Sequence, residues 1–429
     1  MTHLVVVGAS LAGLRAVEAV RGDGFDGTVT LVGAEEHLPY DRPPLSKEYL
    51  AADECPDPRY REHATFADDL DVELVLGTPA SALDTSARTV TVGDRSISYD
   101  GLVIATGAHA RALPGTEGLA GVHVVRTLDD AIGLRGALRD GNRKVTVVGA
   151  GFIGSEVAAV ARSLDLEVTI LEALDTPLVR AIGERMGRAL TRLHERHGTE
   201  VRTGVAVDEV LHDDGRVRAV RLGDGTELDT DLLVVGIGAQ PTTGWLEGSG
   251  LTVDDGVVAD ARLAAAPGVY VAGDVARWPN ALFDDVLDGP MRLEHWTSAA
   301  EQGRYAARNA VDPENAKAYE TVPYFWSDWY ASRVQFVGVA AGDHVEVVAG
   351  DDADGGPFTA LYRANDRIVG ALAVDMRAEV MKYRRLIGRR EGWDAALALA
   401  AERREQAAAK AAEAKAAAAE TTAQDGARA

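Results

Sequence analysis

A single cysteine, Cys55, stands in the 429 residues. No intramolecular disulfide and no cysteine-only metal cluster can therefore be built, and a two-cysteine redox relay is excluded with them. Long apolar runs are also missing: nothing approaches the roughly 18 consecutive residues of a membrane-spanning helix. Excess positive charge is absent, because 44 Lys and Arg face 67 Asp and Glu for a net charge of −23. Such a chain is a poor general partner for nucleic acid or anionic lipid. The N-terminus, MTHLVVVGAS, has no basic segment ahead of an apolar one and no small-residue cleavage site. Together with the lone cysteine this predicts a cytoplasmic protein without a membrane segment.

What is present is a globular composition, 46% hydrophobic and 26% charged, in a length that suggests about three domains. Leu4–Val7 is a β-branched run ending in glycine, Leu11–Val20 carries apolar residues at helical spacing, and Val29–Val32 is a second apolar run. This is the pattern of a βαβ unit, whose parallel strands need a crossover helix. It returns at Val145–Val148, Ile153–Ala161 and Val168–Leu171. Leu102–Ala105 and Leu232–Val235 read as further strands. Beyond about Val322 the runs Val334–Val337, Val345–Val348 and Ile368–Val374 predict a small mixed α/β domain. From Ala401 the composition favours helix but offers nothing to bury, which predicts a frayed or disordered tail.

Two glycine loops carry the chemistry. Gly8-Ala9-Ser10-Leu11-Ala12-Gly13 lies between strand and helix, where Gly8 allows the tight turn, small Ser10 lets a pyrophosphate approach and Gly13 permits close packing. Glu35 follows at about the 20-residue spacing of a ribose-binding acid. An ordinary helix–strand turn is the competing reading of this loop. Gly149-Ala150-Gly151-Phe152-Ile153-Gly154 is a full match, with Glu172 at the end of the next strand. A carboxylate there accepts from both ribose hydroxyls and repels a 2′-phosphate, favouring NADH over NADPH. Two such loops suggest a flavin in one unit and a nicotinamide in the other. The strand Val269–Val271, ending in Gly273-Asp274, offers an aspartate for ribityl hydroxyls, or an ordinary turn aspartate. Ser298 and Glu301 have the spacing of a capping box that would start a helix just after Trp296.

Several longer strings are distinctive: Tyr40-Asp41-Arg42-Pro43-Pro44-Leu45-Ser46-Lys47, Ala105-Thr106-Gly107, Ala272-Gly273-Asp274, Glu294-His295-Trp296 and Phe325-Trp326-Ser327-Asp328. With both glycine loops they resemble the NADH-dependent ferredoxin reductases (putidaredoxin reductase-like), within the FAD-dependent pyridine nucleotide–disulfide oxidoreductase superfamily. The resemblance implies two Rossmann-like dinucleotide-binding domains plus a small C-terminal α/β domain. It divides the chain into 1–112 and 239–318 for FAD, 113–238 for NAD, 319–400 for the C-terminal reductase domain and 401–429 for the Ala-rich tail.

The resemblance also assigns residues. Gly8, Ser10, Ala12 and Gly13 are expected along the FAD pyrophosphate, with Glu35 near the adenosine ribose, Arg42 and Lys47 reaching FAD, and Ala80 on its adenine side. Ala105, Thr106, Gly107, Arg126, Gly273 and Asp274 belong to the same site, with Trp296 against the isoalloxazine. Gly149, Gly151, Phe152, Ile153, Gly154, Glu172, Gly238 and Pro241 are expected at the nicotinamide nucleotide, and Glu156 orders the hydride-transfer site. Trp326 is the expected aromatic neighbour of the flavin on the acceptor side, core packing being the alternative. Thiol-using relatives carry a redox cysteine where this chain has Lys47, so electrons must leave the flavin directly. Trp329 departs from the glutamine expected in the family.

The implied activity is electron transfer from NADH through FAD to a small iron–sulfur ferredoxin serving an oxygenase or cytochrome P450. Rubredoxin or oxygen as acceptor, and a redox-sensing protein resembling apoptosis-inducing factor, remain open from sequence. So does the choice between monomer and homodimer. Arg377, Lys382, Arg384, Arg385, Arg389 and Arg390 cluster in sequence and offer either a local docking patch for an acidic partner or a solvated face.

Overall fold

In the computed structural model, which describes residues 1–353 and 355–426, the first apolar run becomes the strand His3–Val7 in the middle of a six-stranded sheet. The order is Ala264–Ala266, Val269–Val271, Gly101–Ile104, His3–Val7, Thr28–Val32 and Glu73–Val75. All pairings are parallel except the antiparallel edge pair Ala264–Ala266 with Val269–Val271. The central strands are covered on both faces, which explains their continuous apolar runs. The helices Leu11–Gly22 and Trp296–Val311 cross on one side at close range. A Cβ on Gly303 would lie 2.1 Å from the Ala12 carbonyl oxygen, so only glycine fits the crossing.

The second βαβ pattern builds a five-stranded parallel sheet in the order Glu200–Thr203, Glu167–Glu172, Lys144–Val148, Leu232–Val235, Val122–His123. In each sheet the strand that precedes the glycine loop has neighbours whose connections leave in opposite directions. That is the switch point, where open α/β sheets form a crevice beyond the carboxyl ends of their strands. Two antiparallel three-stranded sheets, Ala80–Asp84/Thr89–Val92/Arg95–Ser98 and Val207–Asp213/Arg216–Leu222/Glu227–Asp229, are appended to these units. A short antiparallel pair, Ala108–Ala110 with Ala239–Pro241, spans the two chain crossings between the large sheets.

The C-terminal part has two more strands than the three runs read from the sequence. Its sheet has five strands, all antiparallel, ordered Tyr324–Trp329, Ser332–Gly338, Arg367–Val374, Phe358–Ala364, His344–Gly350. The helix Arg377–Gly388 packs on it. The last helix, Trp393–Gly426, runs on through the alanine-rich segment and is held near its start by the Arg403–Glu379 ion pair at 2.8 Å. Residues 427–429 of the expected tail lie outside the described residues. Among the described residues no helix is long and apolar enough to cross a membrane.

Candidate active site

The first loop is shaped by backbone crowding. Gly8 has a φ of +125°, and a Cβ there would lie 2.0 Å from the Ala105 carbonyl oxygen, while one on Gly13 would lie 1.9 Å from the Gly8 carbonyl oxygen. Only glycine is compatible with both demands. Ser10 is the N-cap of Leu11–Gly22 but makes no capping hydrogen bond; its Oγ accepts from Arg42 Nε at 3.2 Å instead. The first-turn N–H groups therefore stay open at the positive end of the helix dipole, the arrangement that suits an anion. Arg42 also donates from Nη2 to Glu35 Oε1 at 2.7 Å and from Nη1 to the Arg126 carbonyl. Glu35 accepts from the Tyr40 hydroxyl at 2.5 Å as well. Arg126 pairs with Asp274 at 2.8 Å and donates to the Ala108 carbonyl, and Gly107 lies beside its guanidinium. Thr106 donates its hydroxyl to the Thr242 carbonyl at 2.9 Å. Ala105 is buried against Gly8, Gly273 packs on Ala12, and Ala80 begins a half-buried edge of the nearby small sheet.

The second loop repeats the device. Gly149 has a φ of +99° and a Cβ would lie 2.4 Å from the Gly236 carbonyl oxygen; one on Gly154 would lie 2.2 Å from the Gly149 carbonyl oxygen. Gly151 starts the helix Phe152–Ser163 with no capping side chain. Glu172 closes the loop from the next strand: Oε2 accepts the Ala150 N–H and Oε1 the Leu174 N–H, each at 2.9 Å. Ile153 remains 44% exposed, and Gly238, with φ +96°, borders open space. Pro241 lies in the short connecting pair.

Between the loops lies a buried ion pair. Glu156 is 2% exposed and its Oε2 lies 2.9 Å from Lys47 Nζ. Ser46 donates its hydroxyl to Oε2, and Ser327 donates to Oε1 at 2.5 Å. Burial pushes the Glu156 carboxyl above its usual range, while Lys47 and the two serine hydroxyls pull it back. Next to this pair runs the strand Tyr324–Trp329, whose Phe325 ring packs on both Phe152 and His295. The Phe325 ring lies 4.6 Å from Phe152, at the start of the second-loop helix. The Trp326 ring lies 6.3 Å from Trp296, the first residue of Trp296–Val311. Trp296 donates its indole N–H to Asp41 at 2.8 Å, and Asp41 also accepts from the Tyr60 hydroxyl at 2.5 Å.

The pyridine nucleotide-disulphide oxidoreductase model matches residues 2–303, and a reductase C-terminal model matches residues 324–412. The chain belongs to the pyridine nucleotide-disulphide oxidoreductase family. It is 38% identical to a ferredoxin–NAD(P)(+) reductase of Sphingomonas sp over 391 residues, which cover 90% of this chain and 93% of that protein. The crystal structure of the ferredoxin reductase for the CYP199A2 system from Rhodopseudomonas palustris matches with a TM-score of 0.85 at 31% identity, covering 91% of this chain and 96% of that one. The covalent putidaredoxin reductase–putidaredoxin complex also matches with a TM-score of 0.85 at 31% identity, covering 91% and 93%. Members of this family use FAD with a nicotinamide nucleotide, and both loops of this chain have the shape such dinucleotides need.

Within that family frame, one sequence expectation fails. Ser298 and Glu301 do not form a capping box, because the helix begins at Trp296 with extended His295 as its N-cap. Ser298 therefore falls inside the first turn, and Glu301 accepts from the Tyr319 hydroxyl at 2.9 Å and the Thr321 hydroxyl at 3.0 Å. A complete capping box occurs instead at Thr127 and Asp130, opening Leu128–Arg139. The basic cluster is also less free than its sequence suggests. Arg384 turns to the Val322 carbonyl and Glu301, and Arg390 pairs with Asp284 and Asp285; the Arg377 side chain lies outside the described residues. The sequence assigns no individual role to Asp41 and Ser46, which stand inside the quoted Tyr40–Lys47 string, or to Tyr60, which meets Asp41 only in space.

Proposed function

We propose that the chain is a cytoplasmic, NADH-dependent, FAD-containing ferredoxin reductase that passes electrons to a small iron–sulfur ferredoxin serving an oxygenase or cytochrome P450. In this reading residues 1–112 and 239–318 hold FAD, 113–238 hold NADH, and 319–400 cover the junction. The observation that carries it is the strand Tyr324–Trp329, whose neighbouring rings Phe325 and Trp326 reach the second-loop helix and Trp296 respectively. The two nucleotide sites are thereby brought to one wall. Relatives named as ferredoxin reductases align with about nine-tenths of the chain.

The site residues then divide the work. The open helix start at Ser10, with Gly8, Ala12 and Gly13, receives the FAD pyrophosphate; Glu35, Arg42 and Ala80 serve its adenosine half; Ala105, Thr106, Gly107, Arg126, Gly273 and Asp274 its ribityl and phosphate portions. Gly149, Gly151, Phe152, Ile153, Gly154 and Gly238 line the NADH, and Glu172 selects its free ribose. FAD held by these residues would supply two-electron acceptance from NADH and one-electron release, chemistry that the protein orients and tunes. Lys47 and Glu156 hold a compensated charge at the junction, and Trp296 and Trp326 wall it from water. The test is steady-state NADH oxidation by the FAD-loaded protein with purified ferredoxins, rubredoxin, quinone and oxygen compared. Efficient turnover with ferredoxin is expected, in the usual range of roughly 1–1,000 per second; turnover with oxygen or quinone alone overturns the reading.

A further inference from the structure

Trp329, where the family resemblance implies glutamine, is 1% exposed. Its indole N–H donates to Ser327 Oγ at 2.7 Å, and Ser327 donates in turn to Glu156 Oε1. One face of the indole is clamped. Its ring stacks on His194 with centroids 4.8 Å apart and planes 24° from parallel. His194 Nδ1 meets the Tyr330 hydroxyl at 2.8 Å, and that hydroxyl also meets Thr199 Oγ1 at 2.8 Å. The Tyr330 ring lies flat on His197 at 3.9 Å. The indole therefore has a fixed orientation on a platform built by the helix Glu184–Arg196 and the residues just after it.

A serine hydroxyl has one proton and two lone pairs. With the indole N–H on one lone pair, the Ser327 proton is left for Glu156, and the donor on the oxygen strengthens the bond that the proton makes. We propose that Trp329 is a positioning residue which, acting through Ser327, keeps the Glu156 carboxylate turned toward Lys47. The groups that face Glu156 from the elements packed around it are Lys47 and Ser46, from the Pro43–Ser46 turn and its end, and Ser327, from the strand Tyr324–Trp329; Lys47 is the charged one. The consequence for hydride transfer rests on the proposed function, but the coupling itself does not.

The coupling is read without cofactor or acceptor by carbon NMR of the full chain labelled at the glutamate carboxyl, with Glu156→Gln assigning the signal. Trp329→Phe keeps a ring for His194 and removes the N–H. Loss of the indole donor weakens the Ser327–Glu156 bond and predicts a rise in the Glu156 midpoint, smaller than the roughly fivefold change, about 0.7 pH unit, of losing one hydrogen bond outright. Ser327→Ala is expected to raise the midpoint as well, and Trp329→Phe to add nothing in that background. An unchanged midpoint in folded Trp329→Phe, or additive shifts, overturns the proposal. The unsubstituted chain provides a second measurement should Trp329→Phe not fold. The Trp329 indole N–H resonance must follow the Glu156 midpoint and lose that dependence in Ser327→Ala; an indole signal blind to Glu156 overturns the proposal equally. Failure of ferredoxin turnover with this coupling intact would count against the proposed function alone.

Discussion

The Lys47 ammonium lies 2.9 Å from Glu156 Oε2, and the two side chains retain 13% and 3% of their exposure. Removing one member of a buried pair leaves the other uncompensated and costs about 3 kcal/mol or more. In Lys47→Met the Glu156 carboxyl loses the cation that pulls it down, so its folded value rises further above that of an unfolded glutamate. A group raised on folding keeps its stability below the unfolded value, about pH 4.3, and loses it as pH climbs toward the folded one. The destabilisation by Lys47→Met is therefore expected to be small near pH 4.5 and about 3 kcal/mol at pH 8. Urea unfolding across that window measures it, and a difference that does not grow with pH contradicts the pairing.

His194 titrates in the opposite sense. It is 2% exposed, and burial, with His197 nearby, takes its imidazole down to about 3. Below pH 6.5 the unfolded chain takes up a proton that the folded chain refuses, so stability falls as pH drops from 6.5 toward 3. The slope is about 1.4 kcal/mol per pH unit for one such group. His194→Phe keeps a ring against Trp329 and abolishes the proton. It is expected to flatten the pH dependence of unfolding between pH 6 and 4 by that amount, an outcome that paired urea titrations at pH 6, 5 and 4 decide.

The two glycine loops were legible because their constraint is local: a strand, a tight turn and a helix start lie within a few residues, and Gly8 and Gly149 have no substitute where the backbone crosses the next strand. The C-terminal sheet was half legible. Val334–Val337 and Ile368–Val374 announce themselves as apolar runs, whereas Phe358–Ala364 is buried on both faces and interrupted by Thr359 and Arg363, so neither period stands out. Glu156 and Lys47 could be named from resemblance, but not as partners. The helix that carries Glu156 shows no periodicity that points across the fold to the Pro43–Ser46 turn, and Ser46 joins it from 110 residues away. Contacts of that range come from docking the units, which no local pattern records. The Ser298–Glu301 misreading has the same origin: the spacing was right, but the entry of the chain past His295 starts the helix three residues earlier.

Glu172 is expected to do two jobs, and the structure separates them. Both carboxylate oxygens accept backbone N–H groups, from Ala150 in the glycine loop and from Leu174 beyond the strand, while each keeps a lone pair for a ribose hydroxyl. Glu172→Ala removes the loop contact and the ribose contact together, so the apparent affinity for NADH falls. It also removes the negative charge that repels a 2′-phosphate, so NADPH suffers less. The ratio of kcat/KM for NADH over NADPH is expected to drop by about tenfold, the equivalent of about 1.4 kcal/mol. Glu172→Gln keeps an acceptor for one N–H and loses the charge, and its ratio should fall nearly as far with a smaller loss for NADH itself. Steady-state kinetics of both variants with each nucleotide separate the two roles. An unchanged ratio in both would leave Glu172 as a brace for the glycine loop with no part in choosing the nucleotide.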